Sequence, residues 1–180
     1  MNNELVTVIY FWKIEQSKLG FALLRMALDR GALRRFSGVR FAKMLGAGKG
    51  ETFTPRDADI TRWGALAVIE ESQLVALDNS ELIKRWRANS TDEVRYLVDP
   101  ISSHGLWAKV NPFDYVKSAG DGEVVAITRA RIKWAQNVRF WKAVPPVTSS
   151  LHSSPGLLQT IGIGEAPIGL QGTFSHWRSG

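Results

Sequence analysis

The sequence predicts an α+β fold built from two copies of one supersecondary unit, the second copy shortened at its C-terminal end. Strand-like and helix-like stretches alternate from the N-terminus in the order strand, helix, strand, strand, helix, strand. A phrase then recurs: Met44–Glu51 reads M-L-G-A-G-K-G-E and Thr160–Glu165 reads T-I-G-I-G-E, so an apolar stretch twice runs into Gly-x-Gly with an acid within three positions. An aromatic-rich strand pattern follows each phrase, and self-similarity at wide separation marks a duplicated unit.

Leu5–Ile14 is rich in β-branched and aromatic residues and reads as a buried strand. Lys18–Arg30 is made of strong helix formers with Phe21, Leu24 and Leu28 on one face, which predicts an amphipathic helix stopped by Gly31. Val39–Leu45 returns to strand character ahead of the glycines, the polar segment Glu51–Asp59 connects onward, and Ile60–Ile69 is a second long strand. Glu70–Arg87 carries a helical pattern broken near Asp78–Ser80, where Ser80 is placed to cap the second piece. Glu93–Val98 completes the set. The order β-α-β-β-α-β is the ferredoxin-like unit, an antiparallel sheet with both helices on one face and an apolar second face that needs covering.

Residues 1–110 form this first repeat, 111–122 read as a linker, and 123–180 restart the pattern. Glu123–Ile132 is a strand, Trp134–Val144 has Val138 and Trp141 at helical spacing until Pro145 and Pro146 end it, and Leu157–Ile163 and Ile168–Trp177 are strands around the second glycine phrase. The expected last helix and last strand of the second repeat do not follow. An unpaired sheet edge is expected from that, and with it homo-oligomers formed through the exposed edge.

A chain of 180 residues buries a real core, and 44% hydrophobic with 22% charged residues is ordinary for a globular protein. The absence of cysteine excludes disulfides, a thiolate nucleophile, cysteine-ligated metal clusters and a thiolate-bound haem. Seven tryptophans fill core positions and also suit a pocket for a large flat or polyunsaturated ligand. The net charge of +6 comes from scattered residues (Arg34, Arg35, Lys84, Arg85, Arg87, Arg129, Arg131) without a long run, so no nucleic-acid partner is expected. The apolar run Leu5–Trp12 is too short to cross a bilayer and lacks a basic flank, which points to a cytoplasmic protein.

Five stretches resemble the spheroidene monooxygenase family of carotenoid biosynthesis: Phe41–Pro55, Ile101–Trp107 with Asn111–Phe113, Ile127–Trp134, Arg139–Pro145 and Ile161–Trp177. They span nearly the whole chain in the family's order, and the last, I-G-I-G-E-A-P-I-G-L-Q-G-T-F-S-H-W, is the most specific. The resemblance implies an oxygen-dependent ketolase acting on an acyclic carotenoid, associated with haem, fed electrons by ferredoxin, and folded as a dimeric α+β barrel. It also implies a further helix and strand beyond the T-F-S-x-W motif. Since the substrate dissolves in membranes, peripheral membrane contact helped by the positive charge is expected. The alternative is a non-catalytic haem-binding or ligand-binding α+β-barrel module, or an inactive shortened paralogue.

With haem implied and cysteine absent, the axial ligand falls to histidine, tyrosine or methionine. His104 sits in a short S-S-H-G turn, His152 in a Ser-rich connector, and His176 alternates with Trp177 on the last strand, so one of that pair faces the core. His176 or His104 is the candidate iron ligand, with His152 ranked last. Arg129, Arg131 and Lys133 alternate along one strand and match haem propionates in chemistry, a solvated outer face being the plainer account. Glu51 and Glu165 follow the two glycine phrases and are candidates for holding an arginine or orienting a ligand. The phrases themselves are not phosphate loops: Lys43 stands where a P-loop needs glycine, Gly50 where it needs Ser or Thr, and neither phrase opens a helix. They read as bulges or close backbone approaches at strand ends.

Overall fold

The computed structural model describes residues 4–48, 57–115, 117, 120, 122–131, 134–136, 146, 148–165 and 170–179. The chain divides into two compact units that interleave along the sequence, Met1–Met44 with Trp63–Ala119 and Leu45–Arg62 with Gly120–Gly180. The expected helix over Trp134–Val144 is described only at its start, as a 3-10 turn Trp134–Gln136, and the rest lies outside the described residues, as do Glu51–Arg56, Ile132 and Lys133.

The elements in chain order are β1 (Leu5–Ile14), α1 (Leu19–Arg34), β2 (Val39–Gly48), β3 (Ala58–Glu70), α2 (Glu71–Asp78), α3 (Glu81–Asn89), β4 (Ser90–Val98), β5 (Val124–Arg131), β6 (Leu157–Glu165) and β7 (Leu170–Trp177). In the first unit the strands lie in the order β4-β1-β3-β2, and β1 pairs antiparallel with β4 from Thr7↔Val98 to Trp12↔Glu93. That order, with helices packed on one face, is the ferredoxin-like arrangement. Alternation puts Val6, Val8, Tyr10, Trp12 and Ile14 of β1 toward the helices, where Ala22, Leu33, Leu74, Leu77, Ile83 and Trp86 meet them.

Large rings fill the gap between sheet and helices. Tyr10 stacks on Trp12 at 5.4 Å, Trp12 stacks on Trp86 at 5.1 Å, and Phe21 meets Trp86 edge-on at 5.5 Å. Two carboxylates anchor the polar ends of these rings. Trp86 Nε1 donates to Asp29 Oδ2 at 2.9 Å, and Arg25, one turn earlier on α1, grips the same buried carboxylate with two nitrogens. Tyr10 donates its hydroxyl to Asp78 Oδ1 at 2.6 Å, while Arg95 holds Asp78 through two bonds of 2.9 Å. Burial first, then the bond to Asp78, pushes the Tyr10 hydroxyl far above its ordinary pKa of 10.0.

Several expectations need correction. Helix α1 does not stop at Gly31 but runs to Arg34, because a glycine inside a helix costs only about 1 kcal/mol and Leu33 beyond it is buried in the core. Leu24 and Leu28 are not the packed face: the buried side of α1 is Ala22, Asp29 and Leu33, and both leucines point away from it. β4 starts earlier than expected, at Ser90, directly after α3. The break at Asp78–Ser80 is present, and Ser80 Oγ accepts from Ile83 N at 3.3 Å to cap α3.

In the second unit the strands lie in the order β2-β6-β7-β5, so β6, β7 and β5 repeat the relative order of β2, β3 and β1. The glycine phrases are not bulges. Their described glycines lie inside β2 and β6 and pair with each other, Gly46 opposite Gly164 and Gly48 opposite Gly162, with Ala47 opposite Ile163 between them. Opposed residues of an antiparallel pair share a face, so four glycines form a patch without side chains on one side, and Ala47 and Ile163 are buried on the other.

Candidate functional site

Two of the resemblance stretches meet in the first unit. Phe41 of β2 contacts Trp107 edge-on at 5.4 Å, and Trp107 contacts Phe113 at 6.4 Å. The segment is fixed by its own polar groups: Asn111 Oδ1 accepts from Ser103 Oγ and from Phe113 N, each at 3.1 Å, and Trp107 and Val110 exchange backbone bonds around a tight turn. Ala108 and Lys109 take positive φ there, 54° and 70°, the conformation a two-residue turn of this hand demands. Further along, Tyr115 and Thr7 share a hydroxyl bond of 2.5 Å, and Lys117 pairs with Glu4 and Asp99, so the expected linker is tied to β1 and the end of β4. His104 lies in this loop, exposed, with Nε2 3.2 Å from Ser102 Oγ.

The other candidate residues gather on one sheet face of the second unit. The register across β6, β7 and β5 sets them in rows: Gln159–His176–Val125, Ile161–Phe174–Ile127, Ile163–Gly172–Arg129 and Glu165–Leu170–Arg131. Ile161, Ile163 and Phe174 are buried, so this is the inward face, and the exposed Ala126, Thr128 and Ala130 of β5 lie on the opposite one. Arg129 is therefore not on a solvated outer face, contrary to the plainer expectation. It reaches Glu165 Oε1 at 2.7 Å, with only a fifth of its side chain exposed. Arg131 stands two residues on, opposite Leu170, and Lys133 falls outside the described residues.

Arg129 and Glu165 belong to strands separated by β7, so the arginine must cross a strand to reach its partner, a span of roughly 10 Å. Gly172 makes the crossing possible. A Cβ there would lie 3.1 Å from Arg129 Cγ, 3.3 Å from Ile163 Cγ1 and 2.5 Å from Thr128 O. The sequence signal for this was available, since glycine inside a strand pattern marks a close approach. Its partner Glu165 was a candidate for holding an arginine; Glu51, the other, lies outside the described residues.

A haem would need an imidazole near this apolar face. His176 fits by position, two residues from Phe174 on the same face with its side chain 17% exposed, and its Nε2 sits 2.8 Å from Glu123 Oε2, a carboxylate 62% exposed. Arg129, the candidate for a propionate, is already engaged by Glu165, whose side chain is 9% exposed. His152, on the short helical turn before β6, is exposed. Among the described residues no group of three or more metal-ligating side chains occurs, and no helix is long and apolar enough to cross a membrane.

No family model matches the chain. The chain is 35% identical over 167 residues to a spheroidene monooxygenase from Rhodobacter capsulatus, covering 89% of this chain and 68% of the relative. It belongs to the spheroidene monooxygenase family. A second family member, from Cereibacter sphaeroides, is 31% identical over 175 residues (96% of this chain, 54% of the relative), and a third, from Rubrivivax gelatinosus, 35% identical over 144 residues (79% and 56%). The chain thus spans between 54% and 68% of the length of these spheroidene monooxygenases. Solved structures similar to it include Rv0793 from Mycobacterium tuberculosis (TM-score 0.40, 14% identity, 57% of this chain and 100% of that one) and an anthrone oxidase-like protein (TM-score 0.39, 12% identity, 99% and 75%).

Proposed function

We propose that this chain is an oxygen-dependent monooxygenase that introduces a keto group into an acyclic carotenoid. The observation that carries the reading is the identity of 35% over 89% of the chain to the Rhodobacter capsulatus relative. The inward face of the second unit suits the substrate class. Its row of buried Ile161 and Phe174 with partly buried Ile127 offers a polyene an apolar wall, and the Arg129–Glu165 pair gives that wall a polar boundary without an unpaired charge.

Haem is the proposed cofactor, with His176 rather than His104 as the iron ligand, since His104 is exposed in a loop of the first unit. When bound, haem supplies the activation of dioxygen; the chain supplies position and a dry cavity. His176 would exchange Glu123 for the metal, and Phe174 would keep water from the apolar row. Ferredoxin is the proposed electron donor, a tandem ferredoxin-like duplication the proposed architecture, and pairing through β5, the outer strand of its unit, the proposed route to homo-oligomers.

The test is a haemin titration of the purified chain followed by pigment analysis in carotenoid-producing cells. A Soret band that shifts in His176→Ala but not in His104→Ala, with a keto-carotenoid formed by the parent and His104→Ala but not by His176→Ala, is the expected result. A folded protein that binds no haem and forms no ketone would leave the non-catalytic module, a reading the engaged Nε2 of His176 supports.

A further inference from the structure

We propose that the outward face of α1 docks on an anionic lipid surface. Leu23, Leu24 and Leu28 are 56%, 57% and 54% exposed, and they fall within two turns on the side opposite Ala22, Asp29 and Leu33. Ala27 between them is exposed, and a side chain added at Gly20 would meet nothing within 4 Å. Positions 20, 23, 24, 27 and 28 form one stripe at helical spacing. A single exposed leucine is ordinary on a protein surface; three contiguous ones beside small residues form a patch that asks for an occupant.

The charges select which occupant. Arg30 and Arg34 in the last turns and Arg35 at the C-cap are exposed, and none of the three has an ion-pair partner among the described residues. From Lys18 to Arg35 the only acid is Asp29, which is 1% exposed and held by Arg25 and Trp86. The exposed surface of this helix is therefore apolar along its first turns and purely cationic at its end. Leucine beside arginine, with no exposed acid, is the composition of a helix lying in a bilayer interface, and its cations match anionic headgroups. A second copy of the chain matches less well, since the arginines of one α1 would find no exposed carboxylate on the other.

This inference rests on the peripheral-contact expectation and not on the oxygenase chemistry, and it is read with neither haem nor carotenoid present. The chain is sedimented with vesicles of phosphatidylcholine alone and of phosphatidylcholine mixed with phosphatidylglycerol. Binding to the mixed vesicles that falls with added salt is expected, at least about tenfold weaker in Leu24→Glu/Leu28→Glu and in Arg30→Glu/Arg34→Glu, and unchanged in Val75→Glu, an exposed apolar control on α2. Because the chain has no cysteine, Leu24→Cys carries a single environment-sensitive label whose emission should shift to the blue on mixed vesicles. Equal binding by the parent and both double variants overturns the proposal. So does an unshifted label, or a concentration-dependent dimer abolished by Leu24→Glu/Leu28→Glu in a chain that ignores vesicles. Loss of ketolase activity with vesicle binding intact would count against the oxygenase reading alone.

Discussion

The first and second units lay their strands in the same relative order and fill the space around them in opposite ways. In the first, Tyr10, Trp12 and Trp86 stack between sheet and helices, each outer ring pinned by a carboxylate. In the second, glycine stands where larger side chains would: four glycines oppose one another between β2 and β6, and Gly172 clears a path for Arg129. The first unit's core is filled by large aromatic rings, whereas the second unit's sheet is bare of side chains on one face at the four glycines and crossed on the other by Arg129 over Gly172. His176 and Phe174 lie on the face that Arg129 crosses, opposite the four glycines.

Trp86→Ala should break the first arrangement most severely. It opens a cavity beside Trp12 and leaves buried Asp29 without one of its donors, so a loss of about 3–5 kcal/mol is expected in denaturant unfolding. Tyr10→Phe removes only a hydroxyl bonded to a charged acceptor and should cost roughly 1.5–3 kcal/mol. Its pH dependence is the sharper readout. Because the folded state holds the Tyr10 pKa above the ordinary 10.0, the unfolded chain releases its proton first as pH rises. The stability difference between parent and Tyr10→Phe should stay constant below pH 10 and shrink above it; a constant difference through that range would contradict the burial and Asp78 account.

Glycine substitutions probe the second arrangement. Gly172→Ala places a methyl 2.5 Å from a backbone oxygen, which cannot move aside cheaply, and should cost about 1–3 kcal/mol and loosen the Arg129–Glu165 pair. Gly46→Ala meets nothing nearer than Gly164 O at 3.8 Å and should change stability by less than about 0.5 kcal/mol. Thermal melts of the two variants side by side would show whether glycine is needed for crossing a strand or for pairing one.

Much of the strand and helix order was legible, because β-branched and aromatic runs such as Leu5–Ile14 and cap residues such as Ser80 act locally. The repeated glycine phrase was also visible, but not that its two copies pair, since strand partners more than a hundred residues apart leave no local mark. Helix α1 misled for a related reason. It carries leucines on one side and Ala22, Met26 and Leu33 on another, and a pattern with two apolar sides does not reveal which one the core takes. Asp29 and Asp78 gave no signal, because their partners Trp86, Tyr10 and Arg95 are distant in sequence. His176 and Arg129 could be named as candidates, while the sharing of one face depended on the register of β5 and β7.

By itself the amino-acid order determined which segments become strands and helices, the kinship of the chain, and the absence of thiolate chemistry. Only tertiary structure decided that Arg129 binds Glu165 across an intervening strand, that the glycine phrases meet, and which face of α1 is left uncovered. Local propensity acts over a few residues, whereas burial and register are properties of surfaces that exist only after distant segments have come together.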